Sequence, residues 1–187
     1  LVGFAWMRYA NENLQFSIRC LMMHGSFDLA EKIMIDYAHR TGVLGDRKPR
    51  RYLWTDSFAV CNYLGLYRIS GNERYMQLAL KLVDQVHFIL GRHREDDPRR
   101  GWISGLNEEE GKRHPTLGGL RIGKRLPERE PDEPFDESLE WERDGQYYHY
   151  LTRWMHALNR VSRDTGDSTY NLLSLIHISE PTRLGMI

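Results

Sequence analysis

Residues 68–80 read RISGNERYMQLAL, and the fold turns on this stretch. Gly71 directly precedes Asn72, and an aromatic side chain, Tyr75, follows four residues after the glycine. Glycine takes the left-handed backbone that closes one helix, and a short polar side chain accepts a free N–H at the head of the next, so the pair marks a tight helix-to-helix turn. Two other stretches share the pattern. HGSFDLAEKI (24–33) sets Gly25 before Ser26 with Leu29 beyond, and TGDSTYNLL (165–173) sets Gly166 before Asp167 with Tyr170 beyond. Three matches predict an all-α chain built from repeated helical hairpins.

The helices flanking these turns differ in kind. After the second turn, Tyr75, Met76, Ala79, Leu82, Val83, Val86, Ile89 and Leu90 form one apolar stripe opposite Gln77, Lys81 and Asp84, which predicts an outer helix with a single buried face. Before that turn, DSFAVCNYLGLYRIS (56–70) carries apolar residues around most of its circumference, as an inner helix covered on several sides would. QYYHYLTRWMHALNRV (146–161) and, less clearly, FAWMRYANENLQFSIRCLMM (4–23) read the same way. The expected hairpins fall at about 4–40, 55–94 and 145–172. A loop at about 94–143 holds prolines 98, 115, 127, 131 and 134, yet also Trp102, Leu120 and Ile122, which give it something to bury and predict an ordered flap.

Composition bounds the function. The 187 residues carry 26 basic and 26 acidic side chains, so no overall field favours nucleic acid or anionic lipid. No run approaches the roughly 18 apolar residues of a membrane span, and no leader is visible, although a start inside a helical pattern implies a missing N-terminus. Cys20 and Cys61, far apart within apolar stretches, read as buried thiols, which points to a reducing, cytoplasmic location. No cofactor is expected: GGLRIGK (118–124) lacks the spacing of a phosphate loop, and His149 and His156, seven apart on one helix, are too distant to chelate a metal together.

Alternating inner and outer helices describe a helical toroid or solenoid. On RISGNERYMQLAL and RDTGDSTY (163–170), each following an aromatic-rich helix, the chain resembles the six-hairpin (α/α)6 toroid group over about residues 4–172. That group includes many glycoside hydrolases and the N-acylglucosamine 2-epimerases. The resemblance implies about half of a toroid and a carbohydrate-active enzyme with a small-molecule or oligosaccharide substrate.

In such a toroid the N-termini of the inner helices ring a central funnel, with free N–H groups aimed at it. Two segments reach this rim with acids beside aromatics, RRYLWTDSFAV (50–60) and LEWERDGQYYHYL (139–151). Asp56 reads as a general acid or base, or as a first-turn helix acid beside a capping Thr55. Glu142 and Asp144, with Glu140 nearby, supply the second carboxyl that glycoside hydrolysis needs; alternatively Asp144 caps the third inner helix. His149 is the acid/base candidate of the epimerase or isomerase alternative. Trp54, Trp102, Trp141, Tyr147 and Tyr148 offer flat faces with polar edges suited to sugar, and Arg121 suits a carboxylate or phosphate, or is simply a solvated loop arginine. A non-catalytic helical scaffold that binds a glycan or protein is the third reading.

The end of the chain is read differently. LSLIHISEPTR (173–183) matches the conceptual translation of a transposase-type sequencing adapter, and residues 184–187 fit its variable continuation, so 173–187 is expected to be a non-native tail on a fragment.

Overall fold

The computed structural model describes residues 25–130 and 132–179, and within them the ordered elements are helices. The inner helix expected at 4–23 and Cys20 lie outside the described residues. The chain divides into two compact units, 1–37 and 38–187. Helix α1 (25–41) accounts for the described part of the first unit and its last turn belongs to the second. The second unit adds α2 (Leu53–Ser70), α3 (Glu73–Leu90), the short α4 (Glu108–Arg113) and α5 (Glu137–Glu140), α6 (Tyr148–Thr165) and α7 (Thr169–Ser179). Among the described residues no helix is long and apolar enough to cross a membrane.

Two of the three turns form as the repeat requires. Gly71 closes α2 with φ 66°, its N–H donating to the Tyr67 carbonyl at 2.7 Å, and Asn72 accepts the Arg74 N–H at 3.0 Å to open α3. Gly166 closes α6 with φ 75°, and Asp167 accepts the Thr169 N–H at 2.8 Å. At Gly25 the expectation fails. That glycine has helical backbone and is the first described residue of α1, so the local likeness of HGS to SGN does not carry the left-handed turn with it.

Helix direction follows from two contacts at opposite ends. The Tyr52 and Tyr150 hydroxyls meet at 2.8 Å beside the N-termini of α2 and α6, and Arg68 Nε reaches Asp164 at 2.8 Å near their C-termini. The two helices therefore run parallel, side by side. α3 and α7 fold back against them: Trp154 Nε1 donates to His87 Nε2 at 3.1 Å between α6 and α3, and Asn159 bonds Asn171 at 2.9 Å between α6 and α7. The short turns consequently share one end of the hairpin pair. The long segments 42–52 and 91–147 share the other.

The core comes from these helices. α3 buries the stripe its sequence shows, including Leu82, Val83, Val86 and Leu90, and α2 buries Leu53, Ala59, Val60, Tyr63, Leu64 and Leu66. α6 departs from the all-round burial read from its sequence. Leu151, Trp154, Ala157, Leu158 and Val161 form one buried stripe while Tyr148, His149, Arg153 and His156 are exposed, so only part of its aromatic set is core. Trp154, fully buried, removes about 150 to 250 Å² from water, an upper limit of roughly 4 to 6 kcal/mol at 25 cal/mol/Å². α7 continues helically through Ser179, into the segment expected to be non-native. Helix propagation adds one hydrogen bond per residue once nucleation is done, so an apolar segment joined to a started helix extends it whatever its origin.

The described part of the 94–143 segment packs against the helices through its middle. Trp102, Leu120 and Ile122 are buried, and the run 121–123 threads between helix ends. Arg121 N–H donates to Leu90 O at the end of α3, and Ile122 O accepts the Leu53 N–H at the start of α2, at 2.9 and 3.0 Å. At Gly123, φ 87°, an added Cβ would lie 2.2 Å from the Arg51 carbonyl oxygen, so only glycine fits this close approach.

Two outcomes test this packing. Gly71→Ala has open space for its methyl, so its cost is the left-handed backbone alone, about 1 to 2 kcal/mol in urea denaturation. Burial raises the Tyr63 hydroxyl pKa above its ordinary 10. The unfolded tyrosine ionises first, so this contribution is intact below pH 10 and is lost as pH rises beyond it, at up to about 1.4 kcal/mol per pH unit. Tyr63→Phe should flatten the alkaline fall in Tm by one proton's share.

Candidate functional site

The parallel arrangement of α2 and α6 brings RRYLWTD and QYYHYL to one rim, and each acid there has defined partners. α2 begins at Leu53, two residues before Thr55, and its first free N–H groups need acceptors. Asp56 supplies one, its Oδ2 accepting the Tyr52 N–H at 2.9 Å, as the acid of a capping box reaches back. Its Oδ1 lies 3.7 Å from Arg51 Nη1, and Arg51 also donates to Thr41 O. Asp56 is 1% exposed and Arg51 5%. Thr55 does not cap; its hydroxyl donates to Tyr52 O at 3.2 Å.

Asp144 has the fuller set. Oδ1 accepts the N–H groups of Gly123 and Gly145 at 2.8 and 3.0 Å, and Oδ2 takes Arg121 Nη1 and, at 3.4 Å, Arg94 Nη1. It caps no helix, because α6 starts four residues later at Tyr148. Arg121 is no solvated loop side chain either: Nη2 donates to Ile89 O in the last turn of α3 at 2.8 Å, and Nε to Arg92 O just beyond it at 2.7 Å. Arg94 binds Asp96 through Nε and Nη2, each at 2.8 Å, and the carbonyls of Lys124 and Arg125 at 2.8 and 2.7 Å. Asp56, Asp144 and Arg121 therefore hold the framework together, with Asp56 and Asp144 closed to solvent. Trp102 joins them. It is 3% exposed, edge-on to Phe88 and under Arg92, away from the rim of α2 and α6.

The rest of the set stays accessible. His149 and Tyr148 are exposed on the first turn of α6, Glu142 is exposed before it, and Trp141 is 74% exposed. Glu140 is half-buried and paired with Arg129 Nε at 3.0 Å and Arg143 Nε at 3.5 Å. Half-buried Trp54 and Tyr147 enter an aromatic cluster that spans both helices. Trp54 packs edge-on to Tyr150 at 5.3 Å and to His149 at 6.1 Å; Tyr147 lies 6.1 Å from His149 and 6.0 Å from Tyr150. Tyr52 completes the row at 5.9 Å from Tyr150. Burial raises the hydroxyl pKa values of Tyr147 and Tyr150, the second helped by its bond to Tyr52, so these hydroxyls stay protonated at neutral pH and can donate hydrogen bonds.

Tyr52, Tyr150, Lys124 and Arg153 also belong to this rim, beyond the candidates that the sequence suggests. The tyrosines carry a signal, since they lie beside Trp54 and His149 in sequence; the two cations come from a loop and from the second turn of α6 and carry none. Two cavities, of about 500 and 660 Å³, open elsewhere, around the last turn of α3, and share Phe88, Ile89 and Glu95. Asp56, Glu142, Asp144 and His149 line neither. Among the described residues no group of three or more His, Cys, Asp or Glu side chains is arranged to hold a metal ion.

No family model, no curated protein and no solved structure matches this chain.

The framework roles have a direct test. Asp56→Ala strands the buried Arg51 guanidinium and should cost about 3 to 5 kcal/mol in chemical denaturation. Asp144→Asn should speed tryptic cleavage within 94–143 severalfold, because Arg94 and Arg121 lose their shared anion.

Proposed function

We propose that the chain is part of a carbohydrate-active protein of the (α/α) toroid kind and binds a saccharide at the common N-terminal rim of α2 and α6. One observation carries the reading: the row of Tyr52, Tyr150, Trp54, His149 and Tyr147 along that rim. Rings with hydroxyl, indole and imidazole edges match the alternating C–H and O–H surface of a sugar, burying apolar area while donating hydrogen bonds at the border. The positive dipole ends of two parallel helices meet at the same place.

Within that reading, hydrolysis needs one carboxyl to protonate the leaving oxygen and another to act as nucleophile or base. Glu142 is the exposed acid of the candidate group, whereas Asp56 and Asp144 are enclosed with their own partners. That disposition favours the second reaction on this rim, proton transfer by a sugar epimerase or isomerase. His149, exposed and 4.6 Å from the Tyr150 ring, is the group suited to move the proton.

Incubation with oligosaccharides and with free sugars, followed by mass analysis, separates the reactions. Hydrolysis yields fragments that have gained water and fails in Glu142→Gln; epimerisation leaves the mass unchanged and fails in His149→Ala. Trp54→Ala should weaken saccharide binding about tenfold in either case, in keeping with loss of one stacking face. Saccharide binding that survives Trp54→Ala and Tyr147→Ala unchanged would overturn the assignment of the rim.

A further inference from the structure

Two cations flank the ring row, and each stands over an aromatic face. Lys124 Nζ lies 5.3 Å from the centre of the Tyr52 ring at one end. Arg153 Cζ lies 5.8 Å from the Trp54 ring and 6.0 Å from Phe58 at the other. Among the described residues neither has a carboxylate within ion-pair distance, whereas Arg51, Arg94, Arg121, Arg129 and Arg143 each have one. The acids closest in sequence to the two helix starts are already used: Asp56 faces Arg51, and Asp144 faces Arg94 and Arg121.

From this we propose that the saccharide taken by the rim is acidic, a uronate-bearing oligosaccharide whose carboxylates meet Lys124 and Arg153 while its rings lie along Tyr52, Tyr150 and Trp54. The inference rests on the saccharide reading of the rim. A neutral sugar would leave both cations unmatched against a half-apolar surface. A carboxylate on a sugar ring gives each a partner and keeps the stacking face free, because the acid group projects from the ring edge. Arg153 offers a planar fork suited to two carboxylate oxygens; Lys124 offers a point charge. The cations stand apart, with the row of three rings between them, so a chain of sugars engages both and a single uronate engages one.

Isothermal titration of the chain with a tetrasaccharide of galacturonate and with the matching neutral tetrasaccharide of galactose tests the proposal. The acidic ligand should bind at least tenfold more tightly, and the advantage should shrink as salt is raised. Lys124→Ala and Arg153→Ala should each cost the acidic ligand about tenfold and the neutral one little, as expected for loss of a charge-assisted contact. Arg163→Ala, an exposed cation at the far end of α6, serves as the charge control and should change neither. Equal affinity for the two ligands, or an acidic preference that survives both alanine variants, overturns the acidic assignment and leaves the saccharide reading standing. Binding of neither ligand overturns both.

Discussion

The carboxylate of Asp144 is the constraint on which the rest of the rim depends. A helix ends with carbonyls that lack intrahelical partners, and at the end of α3 the loop supplies donors for them. Arg121 gives its backbone N–H to Leu90 O and Nη2 to Ile89 O, and spends Nε on Arg92 O just beyond the helix. A guanidinium brought into that position carries its charge with it, and a largely buried charge without an opposite is costly. Asp144 provides the opposite and uses its second oxygen on the N–H groups of Gly123 and Gly145. One side chain thereby fixes the end of α3, the inward run of the loop and the approach to α6.

The start of α2 is held by the same logic with the signs reversed. Here the unsatisfied groups are N–H donors, and Asp56 and the Ile122 carbonyl accept two of them. Arg51 then neutralises Asp56 and ties it to Thr41 O at the end of α1. Residues 121–123 link the two sites, since Arg121, Ile122 and Gly123 serve the end of α3, the start of α2 and Asp144 in succession.

This division explains what was legible in the sequence. Turns such as SGN and TGD depend on residues adjacent in the chain, and the stripe of α3 on spacings of three and four, so local pattern was enough to find them. Gly25 shows the limit, because the same glycine and cap need not share a backbone conformation. The all-round pattern of α6 misled for a related reason: Tyr148, His149 and His156 are apolar or aromatic enough to pass for core, and only the neighbours of the helix decide which face is covered. The acids were harder still. Asp56 and Asp144 stood out as candidates because they sit beside aromatics at helix starts, yet the arginines that neutralise Asp144 lie 50 and 23 residues away in sequence. Nothing in the local spacing of WTD or RDG records those partners.

The neutralised acids bear on the field at the rim. Asp56 and Asp144, each facing guanidiniums, add no unpaired negative charge to the rim, and α2 and α6 add the positive ends of their dipoles. Lys124 and Arg153 stand over aromatic faces within that field, held by ring quadrupoles rather than by acids. A cation on a ring is a weaker arrangement than a cation on a carboxylate, worth about 0.5 to 1 kcal/mol at an exposed site. It leaves the charge unsatisfied and available to an incoming anion. Had Asp56 and Asp144 faced the rim instead of the framework, they would have claimed these cations, and the surface between α2 and α6 would be closed by its own ion pairs.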